Sequence, residues 1–196
     1  MPRAAEHKDA LIYAAAGLFR RRGYGASGLN DILAASGAPK GSLYHYFPEG
    51  KEQLAETTVK AGGITVARTL EELAASTKDS AAYLRGFAKL LIGWLEASDY
   101  EDGCPISTVL LEMAGESEKI RAQGHTAYDK WRQVTGDKFL ADGLSRKAAN
   151  ALATHTLAAF EGAMMIARVE KKETAIKTTA SLLSAQVKAM QQTGSR

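Results

Sequence analysis

A chain of 196 residues, 45% hydrophobic and 24% charged, is long enough to bury a sizeable core, as one domain or as a small module joined to a larger one. Its formal charge of +3 is too small for a dedicated polyanion binder, so any affinity for DNA must come from local placement of charge and from dimerisation. The single cysteine excludes an intramolecular disulfide; with no signal-like apolar run at the start and no stretch of the ~18 residues a membrane span needs, a soluble cytoplasmic protein is expected.

Abundant alanine with only four prolines favours an all-α fold. The first predicted helix, about residues 7–22, carries Leu11, Ala14, Ala15, Leu18 and Phe19 on one stripe. Arg20, Arg21 and Arg22 fill its last turn, either as a solvated helix end or as phosphate contacts, and Gly23 supplies the cap. Tyr24 is expected to pack against Phe19 and Phe47.

Ser27 reads as the cap of a second, short helix with Leu29, Ile32 and Leu33 at helical spacing and Asp31 near its positive end. Gly37 stops that helix, and Pro39 opens a third running to about Tyr46. Leu43 and Phe47, four apart, share the buried face of this third helix, while Lys40, Ser42, Tyr44 and His45 lie off it. Two short helices joined by a glycine turn form a helix-turn-helix, whose second helix enters the major groove. The exposed face suits that role: Lys40 can meet a phosphate or guanine, Ser42 allows close approach, and Tyr44 and His45 offer rings with polar tips. Tyr46 is divided between core and contact.

The run Gly37-Ala-Pro-Lys-Gly-Ser-Leu-Tyr-His-Tyr-Phe47, followed by Lys51-Glu-Gln-Leu54 and preceded by Ala14-Ala-Ala-Gly-Leu-Phe19 and Gly23-Tyr24, resembles the signature of the TetR-type transcriptional regulators. Pro39 stands where that family usually has a serine or threonine cap, and Pro48-Glu-Gly50 adds a residue before Lys51. Both departures, with Gly103-Cys-Pro-Ile106, are similar to the LmrA/YxaF-like branch. The resemblance implies an N-terminal three-helix DNA-binding module, residues 1–50, and a C-terminal helical ligand-binding and dimerisation domain, residues 51–196. It also implies a phosphate-contacting role for Lys51, completing a DNA-binding set of Ser27, Lys40, Ser42, Tyr44, His45, Tyr46 and Lys51.

A long helix follows from Lys51 to about Ser76, with Gly62-Gly63 as either a pivot or a site of close packing. After Lys78-Asp-Ser80 a helix to about residue 97 carries Leu84, Phe87, Leu91 and Trp94, or Leu90 and Leu95, inward. Beyond the polar turn 98–103, Cys104-Pro-Ile106 opens a helix with Val109, Leu110 and Met113, and a further helix to about Leu140 carries Ile120, Tyr128, Trp131, Val134 and Phe139. Phe87, Leu91, Trp94, Leu110, Met113, Tyr128 and Trp131 are the expected lining of an apolar effector pocket, with packing as the alternative for each. Ser145 caps a helix to about Lys171, and the last helix begins near Thr174 with Ile176, Ala180, Leu183 and Val187 on one stripe. Two long apolar helices behind a DNA-reading front suggest a four-helix dimer interface, with Leu157, Phe160, Met164, Leu183 and Val187 as its residues. The tail 191–196 is expected to fray.

His7, His45, His125 and His155 fall on different elements, so no metal site is expected, and no cofactor or catalytic group is indicated. Cys104 reads as a small buried hydrophobe. Glu112 and Glu161 are read as solvated or helix-paired carboxylates, or as polar groups near an effector. The expected function is a ligand-responsive repressor that binds an inverted-repeat operator in double-stranded DNA as a homodimer and is released by a small apolar or aromatic molecule. A regulator without an effector, an activator, or a helical enzyme or carrier with an accidental front motif remain as alternatives.

Overall fold

The computed structural model describes residues 4–194, and side chains over residues 6–192. Among the described residues there are nine helices and no strand: α1 Ala4–Arg22, α2 Leu29–Ser36, α3 Lys40–Tyr46, α4 Lys51–Ser76, α5 Ser80–Glu96, α6 Ser107–Met113, α7 Glu118–Ala141, α8 Arg146–Glu170 and α9 Thr174–Gly194. None is long and apolar enough to cross a membrane. The start of the chain and the last two tail residues, 195 and 196, lie outside the described residues; the tail before them continues α9, and Gln191 Nε2 donates to the Asp142 carbonyl at 2.9 Å.

Contacts divide the chain into two compact units, Met1–Thr65 with Gly103–Ala127, and Val66–Asp102 with Tyr128–Arg196. This differs from a cut near residue 50, because α6 and the front of α7 return to pack with α1 and α4, a pairing that no linear composition change announces.

In the first unit Leu11, Ala15, Phe19, Ile32, Leu43, Phe47, Leu54 and Val59 are buried together with Ile106, Val109 and Ile120. Each large apolar side chain so buried contributes roughly 1.5–3 kcal/mol. The expected stripe of α1 and the Leu43/Phe47 face of α3 both point into this core. Residues 104–106 do not open α6 as expected but form a turn with Cys104 and Ile106 buried, and the helix begins at Ser107. Gly62 and Gly63 are packing positions: a Cβ at Gly63 would lie 2.6 Å from Ala127 Cβ, and one at Gly62 would lie 3.1 Å from Ile106 Cγ2.

The second unit is built on α5, α8 and α9. Asp79 caps α5 by accepting the Ala82 amide at 2.6 Å, a bond that holds its carboxyl below the usual range, and Ser145 caps α8 through the Ala148 amide at 3.3 Å. Tyr83, Leu84, Phe87, Leu91 and Leu95 of α5 pack inward with Phe160 of α8 and Ile176, Leu183 and Val187 of α9. Phe87 and Phe160 meet at a tilt of 49° with centroids 4.8 Å apart, and Tyr83 meets Phe139 edge-on at 6.3 Å. The Tyr83 hydroxyl bonds the Thr135 hydroxyl at 2.9 Å, and burial pushes its phenol up to about 12.

Candidate nucleic-acid interface

The turn between α2 and α3 depends on backbone geometry that favours glycine. Gly37 has φ +64° and its amide donates to the Leu33 carbonyl at 3.1 Å, closing α2. Ser36 Oγ then accepts from the Ala38 amide at 3.2 Å and carries the chain to Pro39, which caps α3. Leu43 and Phe47 are buried, so the opposite side of this two-turn helix faces outward.

That outward side carries Lys40, Gly41, Tyr44 and His45, all exposed, with Ser42 and Tyr46 half-buried beside them. Tyr44 is 50% exposed, far more than a core ring would be, while the rings of His45 and Tyr46 meet edge-on at 4.7 Å. Together they present a cation, two polar-tipped rings and a low glycine surface, a set able to meet phosphate and base edges.

Ser27 is placed differently from expectation. The cap of α2 is Gly28, whose amide is 3.4 Å from the Asp31 carboxylate, while Ser27 is fully buried and its hydroxyl donates to the Gly23 carbonyl at 2.7 Å. A hydroxyl spent on the end of α1 cannot reach DNA, so Ser27 shapes the bend before the motif.

Lys51 opens α4 and lays its ammonium 4.1 Å from the centre of the Tyr24 ring. Burial lowers its pKa, opposed by the nearby Glu112 carboxylate. Tyr24 in turn packs on Phe19 at 5.7 Å, and burial, then Glu52 and Glu112, raises its phenol. Lys51 is thus half-buried, with its charge over the Tyr24 ring.

Beneath this edge the sequence reading missed a connection. Glu112 of α6, exposed as the solvated reading expects, also accepts the backbone amides of Tyr24 at 2.8 Å and Gly25 at 2.7 Å. Gly23, with φ +81°, lets the carboxylate in: a Cβ there would lie 2.1 Å from Glu112 Oε1. Three more bonds join residues 117–123, at the front of α7, to residues 49–56, around the start of α4: Ser117 Oγ donates to Glu52 at 2.5 Å, Lys119 to Glu49 at 2.5 Å and Gln123 to Glu56 at 3.2 Å. A glycine after three arginines, and carboxylates on one face of α4, are the only sequence traces of this attachment.

Residues 11–58 match the bacterial tetR regulatory family, and residues 80–182 match the LmrA/YxaF-like transcriptional regulator C-terminal domain. The chain belongs to the TetR family. Among its relatives, the HTH-type transcriptional regulator Rv0196 of Mycobacterium tuberculosis is 33% identical over 169 residues, covering 84% of this chain and 85% of that protein. The HTH-type transcriptional regulator LmrA of Bacillus subtilis is 32% identical over 169 residues, covering 86% and 90%. The crystal structure of a regulatory protein TetR from Rhodobacter sphaeroides shares the fold, with a TM-score of 0.81 at 24% identity over 90% of this chain and 96% of that one. This TetR-family protein is a DNA-binding transcriptional regulator, and its family and relatives are regulators, not enzymes.

The other expected residues of this TetR-family chain are redistributed. Of the effector set, Leu110 and Met113 belong to the first unit, where Leu110 packs so close to Gly124 that a Cβ would come within 2.4 Å of it. Phe87, Leu91 and Trp131 are buried in the second unit's packing, Tyr128 meets Trp131 edge-on at 5.4 Å, and Trp94 is 38% exposed. No single unit gathers all seven. Phe160, Met164, Leu183 and Val187, expected to face a partner copy, are buried in the unit's own core because that face of α8 and α9 packs against α5 and against each other. Leu157 is half-buried at its margin. The outward apolar side chains are instead Met165, Ile166 and Val169 of α8 and Leu182 of α9, with Val169 87% and Leu182 67% exposed. The repeat of Met165 and Val169 four apart was the available sign.

Proposed function

We propose that this TetR-family protein is a cytoplasmic homodimeric repressor of an inverted-repeat operator, released by a small apolar or aromatic effector. The observation that carries the reading is the face of α3 opposite Leu43 and Phe47: Lys40, Tyr44 and His45 are exposed in a helix whose packing is already complete without them. Ser42 and Tyr46 flank that face, and Lys51 stands where the family's phosphate-contacting lysine does. Two copies of α3 would reach successive major grooves about 34 Å apart.

Dimerisation is assigned to Met165, Ile166, Val169 and Leu182, whose exposure is costly unless covered. The effector reading rests on the aromatic packing of Phe87 and of Tyr128 with Trp131, apolar rings that a small ligand can displace or join. Such a ligand favours a conformation that mismatches the operator, and by linkage DNA weakens ligand binding equally.

Selection of genomic fragments with the purified protein tests the reading. Recovered fragments should share an inverted repeat, and Lys40→Ala and Tyr44→Ala should each weaken binding about 10-fold or more, as loss of a base or phosphate contact does. Unchanged affinity in folded variants would remove α3 from the reading. A thermal-shift screen of aromatic compounds checks the effector: a ligand of the native state must raise the melting temperature.

A further inference from the structure

Within the second unit, α5 and α9 leave a groove of about 630 Å³ between their outer faces, in the size range of small-molecule sites. Its apolar floor includes Ala88, Ile92 and Ala180. Around that floor stand four cations, Arg85, Lys89, Lys177 and Lys188, against one carboxylate, Glu173. Lys177 is paired to Glu173, and Arg85 faces Asp79 electrostatically. Lys89 and Lys188 have no carboxylate partner among the described residues.

Ser184 supplies an independent observation. It lines the groove, is only 8% exposed, and its hydroxyl has no hydrogen-bond partner. Helical hydroxyls such as Thr58 and Thr154 are satisfied locally, donating to Leu54 O at 2.7 Å and to Asn150 O at 3.0 Å, whereas Thr156 Oγ1 of α8 shares the unbonded state of Ser184. A buried hydroxyl left unbonded disfavours the empty fold, and a bound acceptor would relieve that penalty.

We infer that the α5/α9 groove binds a small amphipathic anion, its carboxylate or phosphate head held by Lys89, Lys188 and the Ser184 hydroxyl once that enclosed hydroxyl turns toward the groove, and its apolar body lying on Ile92 and the alanines. The chemistry follows from the wall. Excess cationic charge selects an anion, the unbonded donor asks for an acceptor, and the apolar floor rewards a hydrocarbon body over a bare ion. This site is separate from the rings assigned above to the effector, and its test needs no DNA.

Titration calorimetry on the DNA-free protein with octanoate and octyl phosphate, against octan-1-ol and inorganic phosphate, decides it. Saturable binding of either amphipathic anion, without measurable binding of the alcohol or of inorganic phosphate, is expected; the stronger of the two anions identifies the head group. Ser184→Ala should weaken that binding roughly 10-fold, the loss of one hydrogen bond to a charged group, while leaving the unliganded melting temperature unchanged or higher. The paired substitution Lys89→Gln with Lys188→Gln should weaken it at least as much and remove its salt dependence. Octan-1-ol binding as tightly as octanoate, no binding of either anion, or variants that bind like the parent would each overturn the assignment.

Discussion

The Glu112 carboxylate accepts the Tyr24 backbone amide at 2.8 Å, and its second oxygen accepts the next amide, Gly25, at 2.7 Å. A side chain of α6 thereby fixes the bend through which α1 leads into the DNA-reading pair. Because both donors are main-chain groups, no substitution at Tyr24 other than proline removes the donor. Glu112 supplies both acceptors.

Glu112→Ala should therefore loosen this bend without unfolding the helices around it. Two exposed charge-assisted bonds contribute about 1–2 kcal/mol together once water competes, and denaturation should report that loss. Operator affinity should fall several-fold. Glu112→Gln should lie between, since its amide has one acceptor and would turn an NH2 toward the other donor. Tyr24→Phe, which keeps the backbone bond and the ring under Lys51, should behave like the parent; an equal loss there would show that the phenol, not the carboxylate, holds the bend.

Glycines of α4 and α5 predict opposite outcomes for one substitution. Gly63→Ala brings a methyl to 2.6 Å from Ala127 Cβ, so α4 and α7 must separate locally. Overpacking of that kind costs about 1–3 kcal/mol, more than the ~1 kcal/mol alanine returns through helix propensity. At Gly93 of α5 a Cβ meets nothing within 4 Å, and Gly93→Ala should stabilise by about 0.5–1 kcal/mol. Thermal melts of the two variants should move in opposite directions. A shared sign would mean that the α4/α7 approach is not as close as 2.6 Å implies.

The contrast also shows what the sequence could convey. Several helix spans and caps followed from local chemistry: Ser145, Gly37 and the Leu43/Phe47 pair act within a few residues of themselves, and each was legible. Gly63 was read as pivot or packing because its partner, Ala127, is distant in sequence. Ser27 was expected to cap α2, whereas Gly28 takes that place and the Ser27 hydroxyl goes to the Gly23 carbonyl, a demand no local pattern shows. The outward and inward faces of α8 are both apolar, so periodicity could find the helix but not which stripe packs on α5; that assignment is tertiary. Glu112 had no signal beyond its charge and the glycine after three arginines that admits it.

Tyr83 gives the fold an alkaline limit. Its phenol rises from the ordinary 10.0 to about 12 in the folded chain because burial disfavours the phenolate, with the Thr135 bond opposing in part. Between these values the folded state holds a proton that the unfolded state has lost, so stability falls as pH rises from about 10 to 12, by roughly 3 kcal/mol over the window. Below pH 10 this contribution is fully present. Tyr83→Phe should start about 1 kcal/mol lower at neutral pH, with the Thr135 hydroxyl unpaired, yet show a flatter alkaline decline. Urea melts at pH 9 and 11 measure both; an identical decline in the variant would exclude Tyr83 as its source.

Two faces of α8 separate association from folding. Val169 is 87% exposed and Phe160 is 1% exposed, though both lie on the same helix. If the outward stripe meets a second copy, Val169→Glu places a charge in an apolar interface and Leu182→Lys does so from α9, where each uncompensated buried charge costs several kcal/mol. Light scattering after size exclusion should then show monomers with parental helix content, and operator affinity should drop steeply because a lone reading helix loses its paired half-site. Phe160→Ala should instead leave a cavity beside Phe87 and destabilise by about 3–5 kcal/mol. A dimer that survives both charged substitutions, or one that dissociates on Phe160→Ala without loss of folding stability, would return the interface to the stripe that now packs against α5.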